Sequence, residues 1–537
     1  MIKKISPRAL IILIFGISFL YALPTYNKFW FPFDEGMTLA CTNMVMHGGI
    51  PYKDFVTPFG PAQFYILSFL FTVFGAYLET AHIYIIFLHA SICTMIFYLA
   101  YRLCRNKMWA LFVWVVGVAS LAPRIGSTAW SIWPFIFFNI LSVVFFVFFI
   151  ERERFVDVIA AGLSAGMAAL CRYELGLYFI ISEIAIIVLM AFLSPKHQKA
   201  RLYLALPLYI FCILILPLGF LFYLWKNGAI KDFLYSVSLP YTVIIKYGET
   251  PFPAPCFDLR RIFYGSLAFI TINQHYIPIL AYIASAPAAI YLYARKKIDA
   301  KKMTTLLFIT ISGAVIFPYA YFGADVTHTM PVIFPALILS AFILETGVAR
   351  KSDYAIYFKI FIKIFSYVIL LLLVLLSIKN TDKYIKNVLT KPLKGDILLL
   401  ETRRGNVYVP KAEKEDVDSL IKFIDSNSLA TDKIFMGFDS HKEISHGGEP
   451  MIYFLADRLP STKYFIMFPG VADQEKTQKE IIASLRNVKL IALSSEGRIV
   501  VESAKGRAGS DVLDRYIREH YRPVKKIGNY TIYLVNE

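Results

Sequence analysis

Between residues 9 and 378 the chain repeats one pattern eleven times: an apolar run near the ~20 residues that a bilayer-spanning helix needs, followed by a polar break. The runs fall near 9–24, 80–101, 108–122, 130–150, 156–170, 176–193, 202–225, 276–294, 303–321, 331–348 and 358–378. A water-soluble globule has no interior large enough for so many apolar segments. Composition agrees: 57% of the 537 residues are hydrophobic and 17% are charged, against about 25% charged in an ordinary soluble domain. The same numbers exclude a disordered chain, a collagen and a coiled coil. The expected fold class is a polytopic α-helical membrane protein with about eleven spans.

The formal charge of +17 is explained by where it sits. Residues 1–378 hold 29 Lys/Arg and 16 Asp/Glu, whereas residues 379–537 hold 26 and 22. The excess lies in short loops between apolar runs, as the positive-inside rule requires, so a nucleic-acid partner is not expected. With the N-terminus cytoplasmic, 20 of those 29 basic residues fall on the inner side and nine on the outer: Lys28, Lys53, Arg124, Arg172, Lys226, Lys231, Lys246, Arg260 and Arg261. Eleven spans then place the C-terminal region outside. The first run follows Lys3, Lys4 and Arg8 without a clear small-residue cleavage site, and reads as an uncleaved signal anchor. All six cysteines lie before residue 379; only Cys41 and Cys256 sit in longer loops, and spacing leaves a disulfide between them open.

These counts divide the chain into a transmembrane part, 1–378, with long outer loops at 25–79 and 226–275, and a soluble part, 379–537. The apolar stretch 60–74 is too short to span easily and reads as an interfacial or re-entrant helix. The Tyr/Pro/Phe-rich second loop suits a structured lid. In the soluble part Val417, Leu420, Ile421 and Ile424 stand at helical spacing within 411–427. Strands are expected at 433–438, 464–468, 489–493 and 499–502, helices near 474–486 and 510–520, and a final edge strand at 529–535. The whole reads as an α/β domain without the Gly-rich loop of a phosphate cradle.

Chemistry concentrates in the first outer loop: Phe33-Asp34-Glu35-Gly36, then Gly49-Ile50-Pro51-Tyr52-Lys53-Asp54, then Pro58-Phe59-Gly60-Pro61. Two adjacent carboxylates at a membrane surface suit general-base work on a lipid-borne substrate. They equally suit a helix start, since Asp is a good N-cap. Residue chemistry alone leaves both readings open.

The order of these motifs resembles the membrane glycosyltransferases of the GT-C superfamily, in particular bacterial relatives of protein O-mannosyltransferases and lipid A aminoarabinose transferases. Ala160-Ala161-Gly162 through Arg172-Tyr173-Glu174-Leu175-Gly176, Gly323-Ala324-Asp325-Val326-Thr327-His328, and the segment 450–470 are similar to further parts of those proteins. The resemblance implies an inverting enzyme of the bacterial cytoplasmic (inner) membrane. Such an enzyme moves a sugar from a polyprenyl-phosphate donor to a glycan, lipid or protein acceptor of the cell envelope. It implies Asp34 as the catalytic base, with Glu35 raising its basicity or orienting the acceptor. No DxD or His-rich cluster stands out in the sequence, so no cofactor is expected. Gly323 departs from relatives in which an Arg often stands there.

A departing phosphate calls for cations. Arg172, beside Glu174, is the sharpest candidate; its alternative is an ion pair that anchors helix ends. Tyr52, Lys53, Asp54, Arg124, Asp325 and His328 complete the substrate-binding candidates, and no cluster suggests a metal. His82, His89 and Glu183 lie inside spans and read as buried interhelical hydrogen-bonding groups. The alternative functions are a transporter or flippase of lipid-linked sugars, and a glycan ligase or polymerase. Transporters usually carry internal repeats, which are not evident here.

Overall fold

A computed structural model describes residues 6–104, 106–121, 126–193, 196–242, 251–258, 260–323, 325–348, 354–442, 444, 448–495 and 509–536. Its first fifteen helices are α1 (Pro7–Ala22), α2 (Asp34–Met46), α3 (Ala62–Phe74), α4 (Leu78–Leu103), α5 (Lys107–Leu121), α6 (Ile132–Arg152), α7 (Phe155–Cys171), α8 (Tyr173–Leu193), α9 (Lys196–Lys226), α10 (Ile230–Thr242), α11 (Arg260–Asn273), α12 (Tyr276–Ala294), α13 (Ala300–Phe322), α14 (Val326–Val348) and α15 (Ile356–Tyr384). Each of the eleven expected spans corresponds to one of these. Nine are long and apolar enough to cross a membrane, while α5 and α7 are shorter apolar helices. The stretch expected to be interfacial is α3. It buries Phe64, Leu67 and Phe71 and turns Phe69, Val73 and Phe74 outward.

The last long helix overruns its expected end. Lys379 and Asn380 close the apolar run in sequence, yet both are buried. Lys379 Nζ donates to Gln274 Oε1 at 2.8 Å, and Asn380 Nδ2 donates to Ser120 Oγ at 3.2 Å. With these partners their polar atoms need no water, so α15 continues to Tyr384 and the division at 378/379 falls inside it. All six cysteines are free, so Cys41 and Cys256 are not bridged.

Beyond α15 and the short α16 (Lys391–Lys394), a hairpin of β1 (Ile397–Thr402) and β2 (Gly405–Pro410) precedes α17 (Lys411–Asn427). A mixed five-stranded sheet follows. It has the order β4-β3-β5-β7-β6 and is built from β3 (Lys433–Phe438), β4 (Leu459–Pro460), β5 (Leu490–Ser494), β6 (Tyr521–Ile527) and β7 (Tyr530–Val535). Helices α18 (Met451–Leu455), α19 (Glu475–Leu485) and α20 (Val512–His520) accompany it. Two expectations need correction. The apolar 464–468 is not a strand: it is a buried loop, and its Phe468 ring packs edge-on to Phe33 of the first loop. β7 is not the edge, because β6 pairs outside it. Arg522, Lys525 and Lys526 give β6 the charges that commonly blunt an edge strand, and those charges hide it in the sequence. The strand expected at 499–502 lies outside the described residues.

The C-terminal region is seated on the first loop. Leu78 N–H donates to the Arg404 carbonyl, Asn406 N–H to Glu79 Oε1, Trp30 Nε1 to Glu413 Oε2, and Met451 N–H to the Pro32 carbonyl. Gly36 permits the last contact, since a Cβ there would stand 2.3 Å from the Met451 nitrogen. This seating brings the sheet domain to the bundle end where α4, α8 and α14 begin.

Candidate active site

Asp34 and Glu35 form the first turn of α2, where the helix dipole favours carboxylates. Asp34 is not the cap: Phe33 occupies that position, and among the described residues no hydrogen bond to the Asp34 carboxylate is found. It is partly buried within electrostatic reach of three other site residues. Burial first, and the like charge of Asp325 second, push its carboxyl up to about 6, against the opposing pull of His328 and Arg172. Four residues singled out in the sequence therefore meet here from α2, the α7–α8 junction and the start of α14.

Arg172 is 7% exposed. Its Nε donates to Glu174 Oε1 at 2.7 Å, its Nη2 to the Tyr319 hydroxyl at 3.1 Å, and its Nη1 to Ser131 Oγ at 3.5 Å. The guanidinium also stacks 5.0 Å from the Phe59 ring and 5.4 Å from that of Tyr319. The Pro58-Phe59-Gly60-Pro61 motif sets this up, because Gly60 N–H donates to the Cys171 carbonyl just before Arg172. Tyr52 reinforces it: its buried hydroxyl bonds to the Phe59 carbonyl at 3.0 Å and to the Tyr173 hydroxyl.

Asp325 does cap a helix. Its Oδ1 accepts the His328 N–H at 2.9 Å, and its Oδ2 bonds to His328 Nδ1 at 2.7 Å. The His328 ring leans on Tyr319, 4.7 Å between centroids. Gly323 leaves room for that ring, which comes within 2.8 Å of where a Cβ would stand. Tyr319 thus joins Arg172 to His328. Sequence reasoning missed it, since it is one of 34 tyrosines and no motif marks it.

Glu35 is turned away from this group. It is 1% exposed, accepts from Ala129 N–H at 2.6 Å and shares a hydrogen bond with His82 Nε2 at 2.8 Å. The like charge that acts on Asp34 comes from Asp325, not from its neighbour in sequence. Lys53 and Asp54 are occupied with the framework: Lys53 Nζ donates to the Asn227 carbonyl, and Asp54 Oδ2 accepts Ile50 N–H. Arg124 lies outside the described residues. Of the three ionisable groups inside spans, His82 bonds to Glu35 and Glu183 accepts from Ser142 Oγ at 2.8 Å. His89 differs from the expectation: its ring nitrogens are buried, among the described residues neither has a hydrogen-bond partner, and the ring lies edge-on to Trp133. Among the described residues no three His, Cys, Asp or Glu side chains gather as a metal site.

The chain is a multi-span membrane protein with a cluster of charged side chains at one bundle end, beneath a sheet domain, and this is the GT-C fold of two solved structures. Two crystal structures share it along nearly their whole length, both of ArnT from Cupriavidus metallidurans. The one bound to undecaprenyl phosphate superposes with a TM-score of 0.52 at 11% identity, and the apo state with 0.54 at 10%; each covers 98% of this chain and 98% of that one. No family model matches the chain, and no curated protein matches its sequence. The likeness establishes the fold and bears out the resemblance read from the first-loop motif at that level.

Proposed function

We propose that this protein is a membrane glycosyltransferase that moves a sugar from a polyprenyl-phosphate donor to a glycan, lipid or protein acceptor of the bacterial envelope, with inversion. Asp34 is the base that takes the proton from the acceptor hydroxyl or amine. Arg172 offers a planar, permanently charged fork to the leaving phosphate, and His328, oriented by Asp325, adds a second donor. Base on one side and held leaving group on the other make a single displacement, hence inversion. The observation that carries the reading is the Asp34 carboxyl beside a buried Arg172: among the described residues no hydrogen bond to that carboxyl is found, and burial pushes it up to about 6. A base works best with a pKa near the operating pH. The undecaprenyl phosphate bound in one structure of the same fold supports the class of donor.

Residues 1–378 would hold the chemistry and 379–537 the roof, seated on α2 through Gly36. The 20-to-9 split of basic residues supports a cytoplasmic N-terminus and an external site. An alkaline phosphatase fused after Glu537 should then be active in a bacterial host; a silent fusion reverses the orientation. The reaction itself is tested with purified Asp34→Asn. Its turnover should fall by ~10²–10⁴, the size of a general-base contribution, with donor still bound. Wild-type turnover in that variant removes the assignment.

A further inference from the structure

Glu35 and His82 form a buried pair that the reaction as proposed does not use. His82 belongs to the first turns of α4, 47 residues from Glu35 along the chain, and both are 1% exposed. His82 Nδ1 bonds to the Tyr26 carbonyl. A carbonyl oxygen only accepts, so Nδ1 carries a hydrogen. Glu35 Oε1 already accepts Ala129 N–H at 2.6 Å, so its 2.8 Å contact with Nε2 holds a single proton. That proton sits on the imidazole or on the carboxyl, and in either case the pair is neutral as a whole. A buried carboxylate without such a partner would be costly.

The pair also joins three pieces of the site. Glu35 adjoins Asp34 in α2. Its bond to Ala129 holds the stretch 127–131, which is further tied by Ser127 Oγ to the Thr25 carbonyl at 3.0 Å. That stretch carries Ser131, which touches Arg172 Nη1. We propose that His82 is a positioning residue: acting through Glu35, it fixes Asp34 and Arg172 relative to each other. This rests on the glycosyltransferase reading above. One consequence is that Gln cannot replace Glu35. Its amide oxygen can accept from Ala129 but meets the lone pair of Nε2, and the flipped amide meets the Ala129 hydrogen.

The test compares His82→Phe, His82→Gln, Glu35→Gln, the double variant His82→Phe/Glu35→Gln, and Asp34→Asn in one bilayer preparation, per folded molecule. His82→Phe should lower kcat by ~10², the penalty of an ångström-scale misplacement, with donor KM within about threefold of wild type. Glu35→Gln should lose as much, and the double variant no more than either single one, because each breaks the same unit. His82→Gln, which still donates to Glu35, should recover part of the loss. If His82→Phe fails to fold, His82→Gln and Glu35→Gln carry the comparison by the same kcat readout. Unchanged kcat in His82→Phe beside an inactive Asp34→Asn overturns the proposal. So do losses that multiply in the double variant, or a fall in Tm with kcat intact. A fully active Asp34→Asn instead overturns the reading beneath it.

Discussion

Two carboxylate–histidine groups in this protein are built in opposite ways. In the C-terminal sheet domain His441 is fully buried and satisfied on every side. Its Nδ1 bonds to Asp514 Oδ1 at 2.6 Å, its backbone N–H donates to both Asp514 oxygens, its Nε2 accepts the Phe438 N–H, and its carbonyl accepts from Gln478. At the bundle end, Asp34 lies within electrostatic reach of Asp325, His328 and Arg172, but among the described residues no hydrogen bond to its carboxylate is found. Burial and like charge hold its carboxyl near 6. A closed group of the first kind fixes a fold. An open one of the second kind costs stability, which accords with the base role proposed for Asp34.

That contrast can be broken in several ways. The largest expected effect is on stability. Asp514→Ala leaves His441 without its partner and should cost about 3 kcal/mol or more, as buried pairs do when one member is removed. Thermal unfolding measures the loss, while turnover per folded molecule should stay the same. Next, Arg172→Ala should weaken donor affinity by ~1.5–3 kcal/mol, the range for hydrogen bonds to a charged group, and Arg172→Lys should restore part of it. A lower Tm with unchanged donor affinity would instead make the Arg172–Glu174 pair a structural anchor.

The smaller effects are in pH dependence. The base must be ionised, so kcat/KM should fall as pH drops through about 6. Asp325→Asn keeps the helix cap and removes the like charge, and should move that limb down by less than about one unit. A limb that stays in place would mean that Asp325 does not act on the base. The sign for stability runs the other way from an ordinary ion pair. The folded carboxyl of Asp34 lies above its usual 3.8, so its ionisation destabilises the fold, increasingly from pH 4 and fully above 6. Asp34→Asn should therefore melt higher than wild type at pH 8, with a difference that fades toward pH 4.

Much of this is legible in the sequence, and the gaps have physical causes. Apolar length is a strong signal, so each of the eleven expected spans has its helix. The end of α15 is not marked in the same way, because polar residues that close an apolar run can be satisfied internally, as Lys379 and Asn380 are by Gln274 and Ser120. The edge strand β6 is hidden by the charges that protect an edge. The motif residues Asp34, Arg172, Asp325 and His328 stand out in the sequence, yet the division of labour within Asp34-Glu35-Gly36 does not. One residue meets the charges of Asp325, His328 and Arg172, the next reaches His82, and the third admits Met451. Those partners lie far along the chain, where spacing carries no information.

The central claim is sugar transfer from a lipid-linked donor, and the most direct test is made in sealed proteoliposomes loaded with polyprenyl-phosphate sugars and an envelope acceptor. Polyprenyl phosphate released and sugar bound to acceptor should be measured together with donor movement between leaflets. The account predicts release matched by transfer, both lost in Asp34→Asn. Donor crossing the bilayer intact, with neither release nor transfer, would make the protein a transporter and contradict the account.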